Sequence, residues 1–274
     1  MSSSIHPIAV DPVSLGLRPF SARSIVLSVL LGGEPPRLPV SAIMALAELF
    51  DVPTGTMRTA LSRMVSNGEL TNDDGVYALS GRLLRRQRLQ REGRAEPTGE
   101  WNGDWVSVLV SADRRSVAAR RAFRSALSDL RFGELRPDAW LRPDNLGAAV
   151  REQAEQLDDV IVLRGSLDRP SNAEVAHALW PLDELAAAGR RLLSALEATS
   201  DRLDGDDPTV LPGAFTISAA VVRHLTVDPQ LPLELHAGID GSRAWPAHEL
   251  RTAYDHYERR FQRLLRSFLV ARIS

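Results

Sequence analysis

Pro53, Gly68 and the Asp74-Gly75 pair constrain this 274-residue chain more than any other feature. Pro53 pushes Val52 out of the helical region, so the periodic run that follows must begin a new helix, with Thr54 as its cap. Gly68 stops that helix, which the spacing predicts from about Thr54 to Asn67. Asn72-Asp73-Asp74-Gly75 then supplies the positive dihedrals of a tight hairpin between Glu69–Thr71 and Val76–Leu79. Upstream, Ile25, Val26, Val29 and Leu30 recur at helical spacing behind a Ser21 cap, and Gly32-Gly33 ends the run. After the Pro-rich break Pro35-Pro36-Arg37-Leu38-Pro39, Ser41 can cap a second helix with Ile43, Leu46, Ala47 and Phe50 on one face. Helix, helix, turn, helix and hairpin is the order of a winged helix-turn-helix, whose partner is double-stranded DNA.

On the third helix Met57, Leu61, Met64 and Val65 fall at i, i+4, i+7 and i+8 and are expected to be buried together. Thr56, Thr59, Ser62 and Arg63 fall on the opposite face, with Arg58 at its edge. These five are the candidate DNA-reading residues: short hydroxyls let the backbone approach a groove, and a guanidinium pairs with guanine or with phosphate. The bland alternative is that any three-helix unit needs a polar outer face. Next comes Ser80 to Arg94, with Arg82, Arg85, Arg86, Arg88, Arg91 and Arg94 in a helical frame. It reads either as a solvated linker helix or as a phosphate-tracking segment, for which Arg82, Arg85 and Arg86 are the candidates.

Downstream the pattern changes. Trp105–Val110 reads as a strand, Ser116–Leu130 as an Arg/Ala-rich helix, Gly133–Leu135 and Ala139–Arg142 as short extended pieces, Leu146–Gln156 as a helix and Asp159–Arg164 as a strand. That is the ferredoxin-like order. Arg120, Arg121 and Arg124 either form a salt-bridged surface or face DNA or a partner. The remainder reads as helical, at Asn172–Ala178, Leu182–Thr199, Thr216–Leu225 and His248–Ala271. In the last, Leu250, Tyr254, Tyr257, Phe261, Leu264 and Phe268 make a seam that can pack inside its own subunit or against a second one. The expected fold class is a multidomain α+β protein. Its segments are an extension (1–20), the winged helix-turn-helix (21–80), an Arg-rich linker helix (81–98), a ferredoxin-like domain (99–168) and a helical C-terminal domain (169–274).

At Arg58-Thr59-Ala60-Leu61-Ser62-Arg63-Met64 the sequence resembles the recognition-helix run of the PaaX family of bacterial repressors. The resemblance continues through Trp101-Asn102-Gly103-Asp104-Trp105, Arg131-Phe132-Gly133-Glu134-Leu135 and Pro137-Asp138-Ala139-Trp140-Leu141-Arg142-Pro143. It reappears at Asp228-Pro229-Gln230-Leu231-Pro232 and in the Trp245 segment. It implies a repressor released from DNA by an acyl-CoA effector, a CoA thioester of an aromatic acid. The chain departs from the family pattern in its short wing, which carries Asp73 and Asp74 where basic residues are usual, and in Trp245-Pro246-Ala247.

The 33 basic residues are all Arg. Residues 1–94 hold 11 of them against 8 acidic residues, and the rest of the chain holds 22 against 27, so the positive excess travels with the proposed DNA-binding part. The absence of Cys excludes disulfides, thiol catalysis and Cys-ligated zinc. Met1–Phe20 lacks the basic and apolar regions of a signal peptide and no later run is expected to span a membrane, so a cytoplasmic protein is expected. His6, His177, His224, His236, His248 and His256 show no close metal-ligand spacing, and there is no Gly-rich phosphate loop or Gly-x-Ser-x-Gly elbow. No catalytic residue, metal or cofactor is assigned. The leading expectation is a homodimeric repressor on an inverted repeat, since two half-sites about 34 to 36 Å apart multiply specificity. The alternatives are a thioesterase-like enzyme handling acyl-CoA with a fused DNA-binding-type domain, and an architectural DNA-binding protein without effector. Trp101, Trp105, Trp140, Trp180 and Trp245 are candidate walls of an effector pocket that the sequence does not place.

Overall fold

A computed structural model describes residues 10–96, 99–111, 116–235 and 247–273. The Trp245-Pro246 pair and His236 lie outside them. The chain is a mixed α+β protein forming two compact units: Met1–Arg94 with Arg190–Thr226 and Glu249–Ser274, and Ala95–Gly189 with Val227–His248. Segment 169–274 is thus shared between both units.

The first unit opens with α1 (Ala22–Gly32), whose Ser21 cap accepts from Ser24 N–H while the Ser24 hydroxyl accepts from Ser21 N–H. The Pro-rich segment, expected as a break, contains β1 (Arg37–Pro39), which pairs antiparallel with β3 (Val76–Leu79). Pro is tolerated there because β1 is an edge strand. Helices α2 (Val40–Leu49) and α3 (Thr54–Ser66) both follow a proline, Pro39 and Pro53, which stands at the cap position. The expected Ser41 and Thr54 caps are therefore corrected: both residues lie inside their helices, and the extended backbone of each proline redirects the chain. Strand β2 (Leu70–Asp73) pairs antiparallel with β3, giving the sheet order β1-β3-β2. Asp74 and Gly75 have φ of 45° and 79°, and the Asn72 side chain accepts from Gly75 N–H at 3.1 Å. Helix α4 (Arg82–Arg94) follows.

Met57, Leu61 and Met64 are fully buried with Val26, Leu27, Leu30 and Ile43, whereas Val65 is 36% exposed, which corrects its expected place in this core. A second core joins Ile25 of α1 and Leu46 of α2 to the later helices: residues from Leu192 on in α8 (Leu182–Thr199), α9 (Leu211–Val227), and α10 (Ala247–Ile273) from Leu250 on. The seam of α10 is spent here. Leu250, Tyr254, Tyr257, Phe261 and Leu264 are buried within their own subunit and Phe268 is half-buried. Each such side chain contributes about 1.5 to 3 kcal/mol relative to exposure. Among the described residues, Pro208–Val227 is long and apolar enough to cross a membrane, contrary to the expectation that no run would be; 67% of its apolar window is buried, as in a core helix.

The second unit holds β4 (Asp104–Val110), α5 (Val117–Asp129), β5 (Gly133–Arg136), β6 (Ala139–Pro143), α6 (Ala148–Glu155), β7 (Val160–Ser166) and α7 (Asn172–Leu179). The sheet is wholly antiparallel in the order β5-β6-β4-β7, with β5 and β7 at its edges. Val106, Val108 and Trp140 pack with Leu127 of α5 and Ala154 of α6. Trp105 and Leu141 pack instead with Val175 and Ala176 of α7.

Three resemblance segments meet in a buried polar network in this unit. Arg142, 1% exposed, donates to Pro143 O at 2.8 Å, Leu130 O at 2.9 Å and Asn145 Oδ1 at 2.8 Å. Asn145 donates to Gln230 O, Arg131 donates to Asp228 O, and the Asp228 carboxylate accepts from Gln230 N–H. Burial first, and then Arg131, lower the Arg142 pKa, while Asp144 opposes them. With Nε, Nη1 and Nη2 each donating to an oxygen, the site suits a guanidinium that stays charged.

Candidate nucleic-acid interface

Helix α3 divides its faces as its spacing dictates. Thr56, Arg58, Thr59, Ser62 and Arg63 are all exposed, on the side away from Met57, Leu61 and Met64. The Thr59 hydroxyl donates back to Gly55 O at 2.8 Å, so its proton is spent and its lone pairs remain. Among the described residues, no ion pair or hydrogen bond holds the Arg58 or Arg63 side chain. Two guanidiniums, a hydroxyl at Thr56 and another at Ser62 therefore face solvent on one helix.

Arg82, Arg85 and Arg86 are exposed on α4, a different helix. The structure ties α4 to the strand leaving α3 through a residue that sequence reasoning missed, Glu69. Its side chain is 3% exposed; it accepts two bonds from Arg23, at 2.9 and 2.6 Å, and one from Arg82, at 2.8 Å. The Arg23 hydrogen bond, aided by Arg82 and opposed by burial, holds the Glu69 pKa below its ordinary value. The same bond raises Arg23. Arg82 is thus an ion-pair partner whose side chain remains 76% exposed. Arg86 is lowered, first by desolvation of its head and then by the like charge of Arg23, while its charge persists. Arg91 pairs with Glu34 at 2.9 Å.

Gln87, also missed, is buried and donates to Leu31 O at 3.2 Å and Gly33 O at 3.1 Å, tying α4 to the open carbonyls at the end of α1. No local signal in the sequence pairs Glu69 with Arg23 or Gln87 with α1, because the partners lie 46 and more than 50 positions away. Arg37 was passed over because it stood in a supposed break. It is exposed on β1, opposite Ala78 of β3, and adds a cation to the sheet whose hairpin turn carries the exposed Asp73 and Asp74.

The family model described as PaaX-like protein matches residues 21–83, and the PaaX protein central Cas2-like domain matches residues 98–175. Comparison with curated proteins gives no match. Among solved structures, the uncharacterized protein Rv0674 from Mycobacterium tuberculosis is 36% identical with a TM-score of 0.66, over 90% of this chain and 98% of that one. The first model spans the helices and sheet that carry the exposed arginines of α3, the second spans the β5-β6-β4-β7 sheet, and together they establish that this chain belongs to the PaaX family.

Proposed function

We propose that this chain is a DNA-binding transcriptional regulator, a homodimeric cytoplasmic repressor that grips an inverted-repeat operator and is released by an acyl-CoA effector. The observation that carries the reading is the outer face of α3, where Arg58 and Arg63 stand exposed beside Thr56 and Ser62 on a helix whose other face is fully buried. Three helices followed by a hairpin, with β1 closing a three-stranded sheet, support a winged helix-turn-helix in which α3 enters the major groove. Arg58, Thr59, Ser62 and Arg63 read base edges or the adjoining phosphates, and Thr56 lets the start of the helix approach. On α4, Arg85 and Arg86 follow phosphates, and Arg82 contributes its exposed charge while anchoring to Glu69. Aspartates in the wing turn repel phosphate, so recognition in this protein rests on α3 more than on the hairpin.

Membership in the PaaX family supports an effector of the acyl-CoA class, an aryl-CoA thioester in particular. Such an effector acts by preferring the DNA-incompatible arrangement of the dimer; a preference of about 100-fold corresponds to roughly 2.7 kcal/mol of coupling. The test is retention of genomic DNA fragments on the purified protein at moderate and high salt, repeated with a panel of acyl-CoA thioesters. An inverted repeat retained at high salt and lost with one thioester is the expected result. Retention that is unselective and salt-labile contradicts operator recognition, and turnover of a thioester points to the enzymatic alternative.

A further inference from the structure

With the α10 seam buried in its own subunit, the dimer surface has to be sought elsewhere, and the sheet of the second unit offers an open edge. Strand β7 is the last strand of that sheet and pairs only with β4 among the described residues. Ile161 and Leu163 are 50% and 51% exposed on it, on the same face as Leu109. Edge strands that stay unpaired are usually short, charged or broken by proline. Strand β7 (Val160–Ser166) runs seven residues without proline, and Arg164 is its one charge.

The ladder fixes which backbone groups face outward. Ser111 N–H donates to Asp159 O at 2.9 Å, so 111 and 159 are a hydrogen-bonded pair. Antiparallel pairs alternate, so Ile161 and Leu163, opposite Leu109 and Ser107, also turn their backbone groups toward β4. Val160, Val162 and Arg164 therefore present N–H and C=O groups outward. A second copy of β7 meets this pattern only if its own outward residues stand opposite.

We infer that β7 pairs antiparallel with β7 of a second copy of this chain across a two-fold axis at Val162, which names the interface of the homodimer proposed above and rests on that dimeric reading. In this register Val162 faces Val162 of the other copy and Val160 faces Arg164, all with matched backbone groups. Ile161 then faces Leu163 in the closer, non-hydrogen-bonded type of pair, with Cα atoms about 4.5 Å apart. Ile161 and Leu163, the exposed large apolar side chains of β7, are covered at once. The charge pattern agrees: the segment Asp158-Asp159-Val160-Ile161-Val162-Leu163-Arg164 is acidic at its start and basic at its end. Antiparallel pairing brings the acidic start of each segment toward the basic end of the other, whereas parallel pairing would align like charges; Asp158 and Asp159 precede the strand, and Arg164 also pairs with Asp144 of its own subunit at 2.6 Å.

The chain has no Cys, so single introduced thiols test the register in the full-length protein. Wild type is first sized by sedimentation. Ile161→Cys and Leu163→Cys proteins are then oxidised separately and as a mixture after subunit exchange. The expected result is a wild-type dimer and covalent dimer formation at least about tenfold faster in the mixture than in either protein alone, since only the 161–163 pair brings Cα atoms within disulfide reach. A wild-type dimer without this preference overturns the β7 interface and leaves the dimeric regulator standing. A wild-type monomer overturns both.

Discussion

Replacing Glu69 with Gln removes one negative charge from a nearly closed site while keeping its size, and the consequence can be worked from the contacts. Three bonds from guanidiniums converge on the carboxylate, at 2.9, 2.6 and 2.8 Å. A hydrogen bond to a charged group is worth about 1.5 to 3 kcal/mol net when buried. Arg23 and Arg82 are 47% and 76% exposed, so solvent screens much of that gain and rehydrates both heads once the charge is gone. The amide also turns an N–H₂ toward groups that can only donate. The balance is a loss of about 2 kcal/mol, or a fall in melting temperature of roughly 4 to 8 °C for a unit of this size. Because the folded pKa of Glu69 lies below its ordinary 4.5, its stabilisation is complete above that value and is lost as pH falls through the folded pKa. Thermal melts of wild type and variant should therefore differ most near neutrality and converge as the pH drops below 4.5. Equal melting temperatures at pH 7, or a gap that persists undiminished in acid, would refute the reasoning.

Arg86→Ala should weaken specific and unspecific DNA about equally and lower the slope of log affinity against log salt by about one unit, as read by titration at several salt concentrations; a loss confined to one sequence would contradict phosphate tracking. Truncation before Asp255 takes Tyr257, Phe261, Leu264 and Leu265 out of the core they share with α8 and α9. The truncated protein should lose its cooperative melt, and a folded truncation would show that the later helices are dispensable. Leu61→Ala, at a site 1% exposed, should cost about 2 to 5 kcal/mol by leaving a cavity beneath α3, seen in denaturant melts.

How much of this was legible beforehand follows from where the determining contacts lie in the chain. Helix α3 and its hairpin were readable because Pro53, Gly68 and Asp74-Gly75 act within a few residues of themselves. The β4-to-β7 order was readable for a similar reason, since each run changes period at its boundary. Strand β1 was not, because Arg37-Leu38-Pro39 has no alternation of its own and exists as a strand only by pairing with Val76–Ala78. Caps were misplaced at Ser41 and Thr54 because a proline directly before each helix does the redirecting that a hydroxyl usually does. Val65 met the spacing rule yet sits at the edge of the buried stripe. The α10 seam was visible as a periodicity, but its partners, Leu192, Leu196 and the apolar residues of α9, are supplied by distant helices. The candidate arginines stood out by position; Glu69, which fixes Arg82 among them, carried no local mark.

The most direct test of the central claim is selection of operator sequences by wild type and by Arg63→Ala under identical salt. If α3 reads the major groove, the variant should bind the wild-type site about 1 to 3 kcal/mol more weakly and lose its base preference at one position in each half-site. Unchanged affinity together with an unchanged selected sequence would remove Arg63 from the readout face and contradict the account.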